Sequence, residues 1–344
     1  MPLFDDPPLH DFPDRAIRRL LEEPRNLRDL IAAVLPDLVG RFDFDRLDRP
    51  PRTFLLDDWR RRESDMLFRL PFRAEELPPA LLCLLIEHQS EPDPWMPLRI
   101  LLYAVLFWNE EWKQWEREHP DGAPPRLTPI IPLVFHTGLM RWRANRTLAE
   151  LLVGPEEVRR FAPEWSPLFW DLAERDPQVL LASAAEWLAA LAVVRAEREE
   201  GEAFRQVFIA VLRRLESLSE AEPVRWHDLL WFVLSWGLRR RPLAEREPLV
   251  RAAQASLRDR QRREEIRRMS ETIFKSSDQE MLEQGEIRGQ LANCRQNLRL
   301  LLEERFGPLP EALVEQIEGI NDLERLRAGL KRVLHVAALD EFTL

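Results

Sequence analysis

The apolar positions between residues 53 and 135 fall into short runs bounded by prolines and charged residues. The run Ala80–Ile86 is almost entirely aliphatic, and Glu87 follows it directly. A continuous apolar run of this length between turn-forming residues predicts a buried central strand. Three further strands are predicted at residues 53–56, 65–70 and 128–135.

Helical spacing is found on either side of these runs. Apolar residues recur three or four positions apart over residues 14–35, with an interruption near Pro24. A second helix, rich in Leu and Trp, is predicted from about Pro97 to Arg117. The predicted order is therefore helix, three strands, helix, strand, and periodicity by itself indicates only an α/β fold.

From about residue 146 onward the pattern is helical throughout, with candidate helices at 147–153, 177–199, 202–218, 225–239 and 244–270. A further helix is predicted over residues 280–306. Its residues Ile287, Leu291, Cys294, Leu298 and Leu301 alternate four and three positions apart, the spacing of a coiled-coil seam. Because this run is short, packing within the chain and homodimerisation both remain open.

The length of 344 residues predicts two or three domains with ample core. We place an α/β domain at 1–145, a helical region at 146–279 and a small helical C-terminal domain at 280–344.

The formal net charge of −10 counts against strong non-specific affinity for DNA phosphates, although clustered arginines can still form a local groove.

The chain is expected to be cytoplasmic and free of membrane contact. No apolar run approaches the roughly 20 residues needed to cross a bilayer. The acidic, proline-rich start is unlike a signal peptide. Cys83 and Cys294 are the only cysteines, and Cys83 lies in the predicted buried strand, so a structural disulfide is not expected.

Glu87 stands at the predicted end of a buried strand, and Asp65 begins a neighbouring one. A carboxylate at such a position costs several kcal/mol unless a charged or polar group pairs with it. A divalent metal ion held by both side chains would supply that pairing.

The motifs around these two acids follow a recognisable order. Ser64, Asp65, Leu67 and Phe68 are followed, about twenty residues later, by Leu84 to Ser90 (LLIEHQS), and the further matches are Met96, Pro97, Arg99, Tyr103, Pro129, Ile131, Pro132, Val134 and Gly138. This ordered set resembles the Rpn family of recombination-promoting nucleases, also described as YhgA-like putative transposases. That family belongs to the PD-(D/E)XK nuclease superfamily, and the resemblance covers roughly residues 10–145.

The resemblance implies a PD-(D/E)XK nuclease-like αβββαβ core and a metal-dependent DNA endonuclease linked to recombination or mobile DNA. It implies that Asp65 and Glu87 hold Mg²⁺ or another divalent cation, with the backbone carbonyl of His88 as a third ligand. Mg²⁺ keeps several waters and needs only one or two protein carboxylates. Strand alternation directs the His88 side chain away from the site.

Gln89 stands where the superfamily usually has lysine, and the Rpn family generally reads E-x-Q there. Glutamine can orient an attacking water, but it adds no positive charge. The best candidate for that charge is Arg99, with Tyr103 one helical turn further on the same face. A structural salt bridge between Arg99 and Glu87 is the alternative role.

Other histidines have weaker support. His136 is expected to lie in a loop, with an approach to the site as the open alternative. The pair His10–Asp11 matches the family's opening, either near the metal or as a helix cap. The chain contains no CxxC, HExxH, P-loop or GxGxxG motif, so zinc, ATP and dinucleotide chemistry have no support.

The alternative function is a nuclease-like module that binds DNA or protein without cutting.

Overall fold

The computed structural model describes residues 12–49, 66–74, 79–87, 93–119, 122, 126–336, 338–339 and 342, without the side chains of 85–87, 278–281 and 283–288. The predicted strand at 53–56 lies outside these residues. So do His10, Asp11, Asp65, His88 and Gln89.

Helices open the described part of the chain: α1 is Phe12–Leu21, α2 is Pro24–Val34 and α3 is Pro36–Val39, followed by a 3-10 turn at Phe44–Arg46. Pro24 occupies the first turn of α2 rather than breaking a longer helix. Proline suits this position because its missing N–H would have no intrahelical partner there. The predicted helical segment is therefore two helices with a sharp turn between them.

A four-stranded sheet is formed by β1 (Met66–Leu70), β2 (Ala80–Glu87), β3 (Ile130–His136) and β4 (Leu168–Asp171), in that order across the sheet. Strand β1 runs antiparallel to β2, and β2, β3 and β4 are parallel. The crossover from β2 to β3 contains helix α4 (Met96–Glu118). The predicted strands at 65–70, 80–87 and 128–135 are confirmed with shifts at their ends.

Strand β4 lies in the region that the sequence pattern assigned wholly to helices, so that part of the prediction is wrong. The strand has four residues, Leu168–Asp171, too few for a period to be recognised. It forms because the edge of β3 offers unpaired backbone groups, which pair with Leu168–Asp171 in parallel register.

Both faces of the sheet are covered by helices. On one face, Leu67, Cys83 and Val134 pack with Ile100 and Tyr103 of α4. On the other face, Phe135 stacks on Trp170 with ring centroids 4.6 Å apart and also contacts Trp187 at 6.3 Å. The described residues therefore form a mixed α/β fold with the sheet between helical layers.

The helices after β3 are short at first and then longer. They are α5 (Leu148–Leu151), α6 (Glu156–Arg159), α7 (Pro177–Leu181), α8 (Glu186–Arg195), α9 (Gly201–Glu216), α10 (Leu218–Ala221), α11 (Pro223–Arg240) and α12 (Leu243–Ser256). The predicted helices at 177–199 and 244–270 are each interrupted. Three tryptophans of α11 are buried: Trp226, Trp231 and Trp236.

The last helices are α13 (Arg260–Phe306), α14 (Glu311–Gly319) and α15 (Leu323–Val333). The chain divides into two compact units, residues 1–273 and 274–344. The domain limits near 145 and 279 stay predictions. No helix of the described residues combines the length and apolar character that a membrane span requires.

Within the second unit, Leu291 and Leu298 of α13 pack with Ile317 and Leu326. These contacts place part of the coiled-coil-like seam inside the unit. Gly307 ends α13 with φ +84°, a conformation that glycine adopts without steric cost. A homodimer through the 280–306 segment stays a prediction.

Candidate active site

Three ionisable residues lie in one row at the ends of the parallel strands. Glu87, the last residue of β2, is the register partner of His136, the last residue of β3. His136 is in turn the register partner of Asp171, the last residue of β4. The carboxyl ends of parallel strands form the edge at which open α/β sheets bind ligands.

His136 and Asp171 form a buried pair at this edge. The Nδ1 of His136 lies 2.9 Å from Oδ1 of Asp171, and the two side chains are 0% and 1% exposed. The expectation that His136 lies in a loop is wrong, because the residue completes β3. Its ring also meets Trp142 edge to face, with centroids 5.2 Å apart.

Asp171 accepts two further hydrogen bonds, from the backbone N–H of Trp142 at 2.8 Å and of Ala173 at 2.9 Å. Burial by itself would raise the pKa of Asp171, but the hydrogen bonds from His136 and Trp142 outweigh burial, and the pKa is lowered. Asp171 is therefore a carboxylate that only accepts, and Nδ1 of His136 donates to it.

Arg99 and Tyr103 lie one turn apart near the start of α4 and are both buried. Nη1 of Arg99 lies 3.4 Å from Oδ2 of Asp93. Tyr103 belongs to the same apolar cluster as Trp142. Since Trp142 contacts His136, the helix face with Tyr103 and the strand-end row share one side of the sheet.

The loop after β3 brings positive charge to this edge. Trp142 anchors the loop through its bond to Asp171, and Arg141 and Arg143 on either side of it are exposed. Asn145 Nδ2 also reaches the carbonyl of Pro94, 3.5 Å away, just before α4. Within the described part of the chain, Arg141 and Arg143 form no ion pair.

The remaining predicted site residues are only partly placed. The backbone of Glu87 is at the end of β2, but its side chain is not described. The expected closeness of the Asp65 and Glu87 carboxylates therefore lies outside the described residues. Among the side chains that are described, no three His, Cys, Asp or Glu residues gather as a metal-ligand set.

Asp171 was not among the predicted site residues, and His136 was expected in a loop. Asp171 follows Leu168–Trp170, an apolar triplet directly before an acid, which repeats the pattern of Ala80–Ile86 before Glu87 on a smaller scale. His136 likewise follows an apolar run directly. The shared signal is a polar residue ending an apolar run, and it could have identified all three positions.

Comparison with known proteins supports the resemblance. The family model described as "Putative transposase, YhgA-like" matches residues 11–222. Recombination-promoting nuclease RpnA of Escherichia coli (strain K12) is 28% identical over 127 residues, which cover 37% of this chain and 40% of the relative. Recombination-promoting nuclease RpnC of the same organism is 22% identical over 149 residues, 43% of this chain and 46% of the relative.

The matched stretches span less than half the length of these two relatives. No solved structure matches the chain. The family match extends past β3 and β4 and includes the whole strand-end row. The chain belongs to the YhgA-like putative transposase family.

Proposed function

We propose that this protein is a divalent-metal-dependent DNA endonuclease that acts in recombination or on mobile DNA. The observation that carries the proposal is the row of Glu87, His136 and Asp171 at the carboxyl ends of three adjacent parallel strands. The names of the two relatives, recombination-promoting nucleases, support the same class of reaction.

The sheet register supports the pairing of Glu87 with Asp65. Met66 pairs with Leu84 in the antiparallel ladder, so the chain reaches β1 from the edge at which β2 ends. Asp65 precedes Met66 directly, and we expect its carboxylate at this same edge. Oxygen donors at one edge suit a hard divalent cation such as Mg²⁺, which Asp65, Glu87 and the backbone carbonyl of His88 would hold.

A bound divalent ion would supply charge neutralisation and an activated water. The chain's own residues do the remaining work in this proposal. Gln89 orients the attacking water, and the Arg99 guanidinium stabilises the charge that develops on the phosphate. Asp93 forms an ion pair with Arg99 and holds the Arg99 side chain near the start of α4. Tyr103, which packs from α4 against the sheet, supports the position of that helix.

Arg141 and Arg143 are proposed to contact DNA phosphates beside the cleavage site. Their loop is anchored at the strand ends through Trp142, and residues 137–149 include no Asp or Glu. A local positive surface of this kind answers the objection that the whole chain is acidic, because phosphate contacts depend on nearby charges.

The testing experiment is cleavage of supercoiled plasmid by the purified chain, with Mg²⁺ and with EDTA. We expect nicking in Mg²⁺, none in EDTA, and none with Glu87→Ala in Mg²⁺. DNA binding by wild type without any metal-dependent cutting would instead support the non-catalytic binding module. Equal cutting by wild type and Glu87→Ala would assign the activity to another site or to a contaminant.

A further inference from the structure

The ring nitrogen Nε2 of His136 leads to an inference that goes beyond the proposed nuclease reaction and rests on it. His136 is fully buried, and among the described residues its Nε2 has no hydrogen-bond partner. Leaving a buried polar nitrogen unpaired costs free energy, because the hydrogen bond it made to water is not replaced. A group outside the described residues or a bound ligand is therefore expected to meet Nε2.

The orientation of the ring is determined by its surroundings. Asp171 accepts from Nδ1, and Trp142 packs its ring edge to face against the imidazole. Because Asp171 takes two further N–H donors, it remains an acceptor, and the proton of a neutral His136 ring stays on Nδ1. The lone pair is then on Nε2. The two ring nitrogens diverge, so Nε2 faces away from Asp171.

The residue on the other side of His136 is Glu87. The two are register partners on neighbouring parallel strands, which lie about 4.8 Å apart. A histidine whose Nδ1–H donates to a carboxylate, and whose Nε2 is left for an ion, has the arrangement found around metal-binding histidines. We propose that Nε2 of His136 is a nitrogen ligand of the divalent ion held by Glu87, with Asp171 as the residue that orients the ring.

This proposal changes the expected metal preference. Carboxylate, carbonyl and water oxygens alone favour Mg²⁺, whereas an imidazole ligand favours transition metals. Mn²⁺ should therefore support cleavage at a lower concentration than Mg²⁺. Removal of Nε2 should reduce the difference between the Mn²⁺ and Mg²⁺ concentrations that support cleavage. Removal of a purely structural histidine would not produce this effect.

The decisive variant is His136→Asn, because its amide N–H can replace the Nδ1–H that donates to Asp171 while Nε2 is lost. Electron spin-echo envelope modulation of the Mn²⁺-loaded protein reports ¹⁴N coupling from a directly bound imidazole. We expect ¹⁴N coupling in wild type and in the control His88→Gln, and its loss in His136→Asn. Asp171→Asn should weaken Mn²⁺ binding, measured by calorimetry, by roughly 10- to 100-fold.

The outcomes of these measurements decide whether His136 binds the ion. Metal-dependent cleavage with no ¹⁴N coupling, or with coupling unchanged in His136→Asn, would overturn the ligand role of His136 and leave the nuclease proposal standing. If the wild type neither cleaves DNA nor binds Mn²⁺, the ligand role of His136 and the nuclease proposal are both overturned. If His136→Asn does not fold, the double variant His10→Gln, His88→Gln still decides: retained ¹⁴N coupling supports His136, and its absence overturns the proposal.

Discussion

Glu87 and His136 are register partners at the ends of two parallel strands, although a long helical crossover separates them in the chain. The pairing makes the end of β2 part of a row that continues to Asp171. This relationship, rather than any single acid, makes the sheet edge the place to test for chemistry.

Asp65→Ala is expected to abolish Mg²⁺-dependent nicking, because it removes a proposed ligand and one of the charges that hold the ion. The variant should remain folded by circular dichroism, since two carboxylates without a metal repel each other. DNA affinity in EDTA, measured by fluorescence anisotropy, should stay equal or rise, because one negative charge near the phosphates is gone. Gln89→Lys is the matched control, expected to keep some activity.

Arg99→Ala is expected to slow cleavage by about 10²-fold or more if the guanidinium neutralises developing charge. Asp93→Asn provides the control, because it removes the negative charge of the ion pair at 3.4 Å while its amide oxygen can still accept from the guanidinium. Single-turnover rates should fall far more for Arg99→Ala. A similar loss in both variants would show that Arg99 acts mainly through the structure of the α4 start.

The double variant Arg141→Ala, Arg143→Ala is expected to weaken DNA binding at every sequence tested. The slope of log K against log salt should fall by about 1 for each lost phosphate contact. Arg159→Ala is the control, because Arg159 is engaged with Glu156 at 2.6 Å on α6. An unchanged slope in the double variant would exclude this loop from the DNA-binding surface.

A chain that ends at Ser277 is expected to fold and to retain metal-dependent nicking. The second compact unit begins near this point, and its described core is built from its own residues, including Leu298 and Leu326. Plasmid cleavage and circular dichroism provide the measurement. Loss of cutting by a folded fragment would mean that residues 278–344 contribute to the site or to an obligatory dimer.

Asp29 is expected to make the stability of the protein depend on pH. Burial raises the pKa of Asp29, even though Trp187 Nε1 donates to its Oδ2 at 3.2 Å and Arg225 lies near. A raised carboxyl pKa favours the folded state below the ordinary value of the group, and this stabilisation is lost as pH rises through the folded value.

Asp29→Asn stays neutral and can still accept from Trp187, so it should melt at a higher temperature than wild type near neutral pH. The difference should shrink as pH falls towards about 4, the ordinary range of the carboxyl group. Thermal melts at a series of pH values from neutral down to about 4 provide the measurement. A wild type that is the more stable protein at neutral pH would show that the charge of Asp29 is favourable after all.

The sequence by itself determined the elements that depend on local pattern. The aliphatic run Ala80–Ile86 lies in strand β2, where residues 80–84 are buried, and the Leu- and Trp-rich segment after it is the long helix Met96–Glu118. These could be predicted because burial on both faces requires an unbroken apolar run, and an amphipathic helix requires apolar residues three and four positions apart. The order of motifs around Asp65 and Glu87 likewise identified the family.

Only the tertiary structure decided which strand ends meet. Strand β4 has four residues and exists because β3 has an open edge, so no local pattern predicted it. His136 was expected in a loop, and Asp171 was not noticed. Each ends an apolar run, but its hydrogen bonding depends on a partner far away in the chain. Strand register is set by packing and backbone pairing across the whole sheet. That register, and not the spacing along the sequence, places Glu87, His136 and Asp171 side by side.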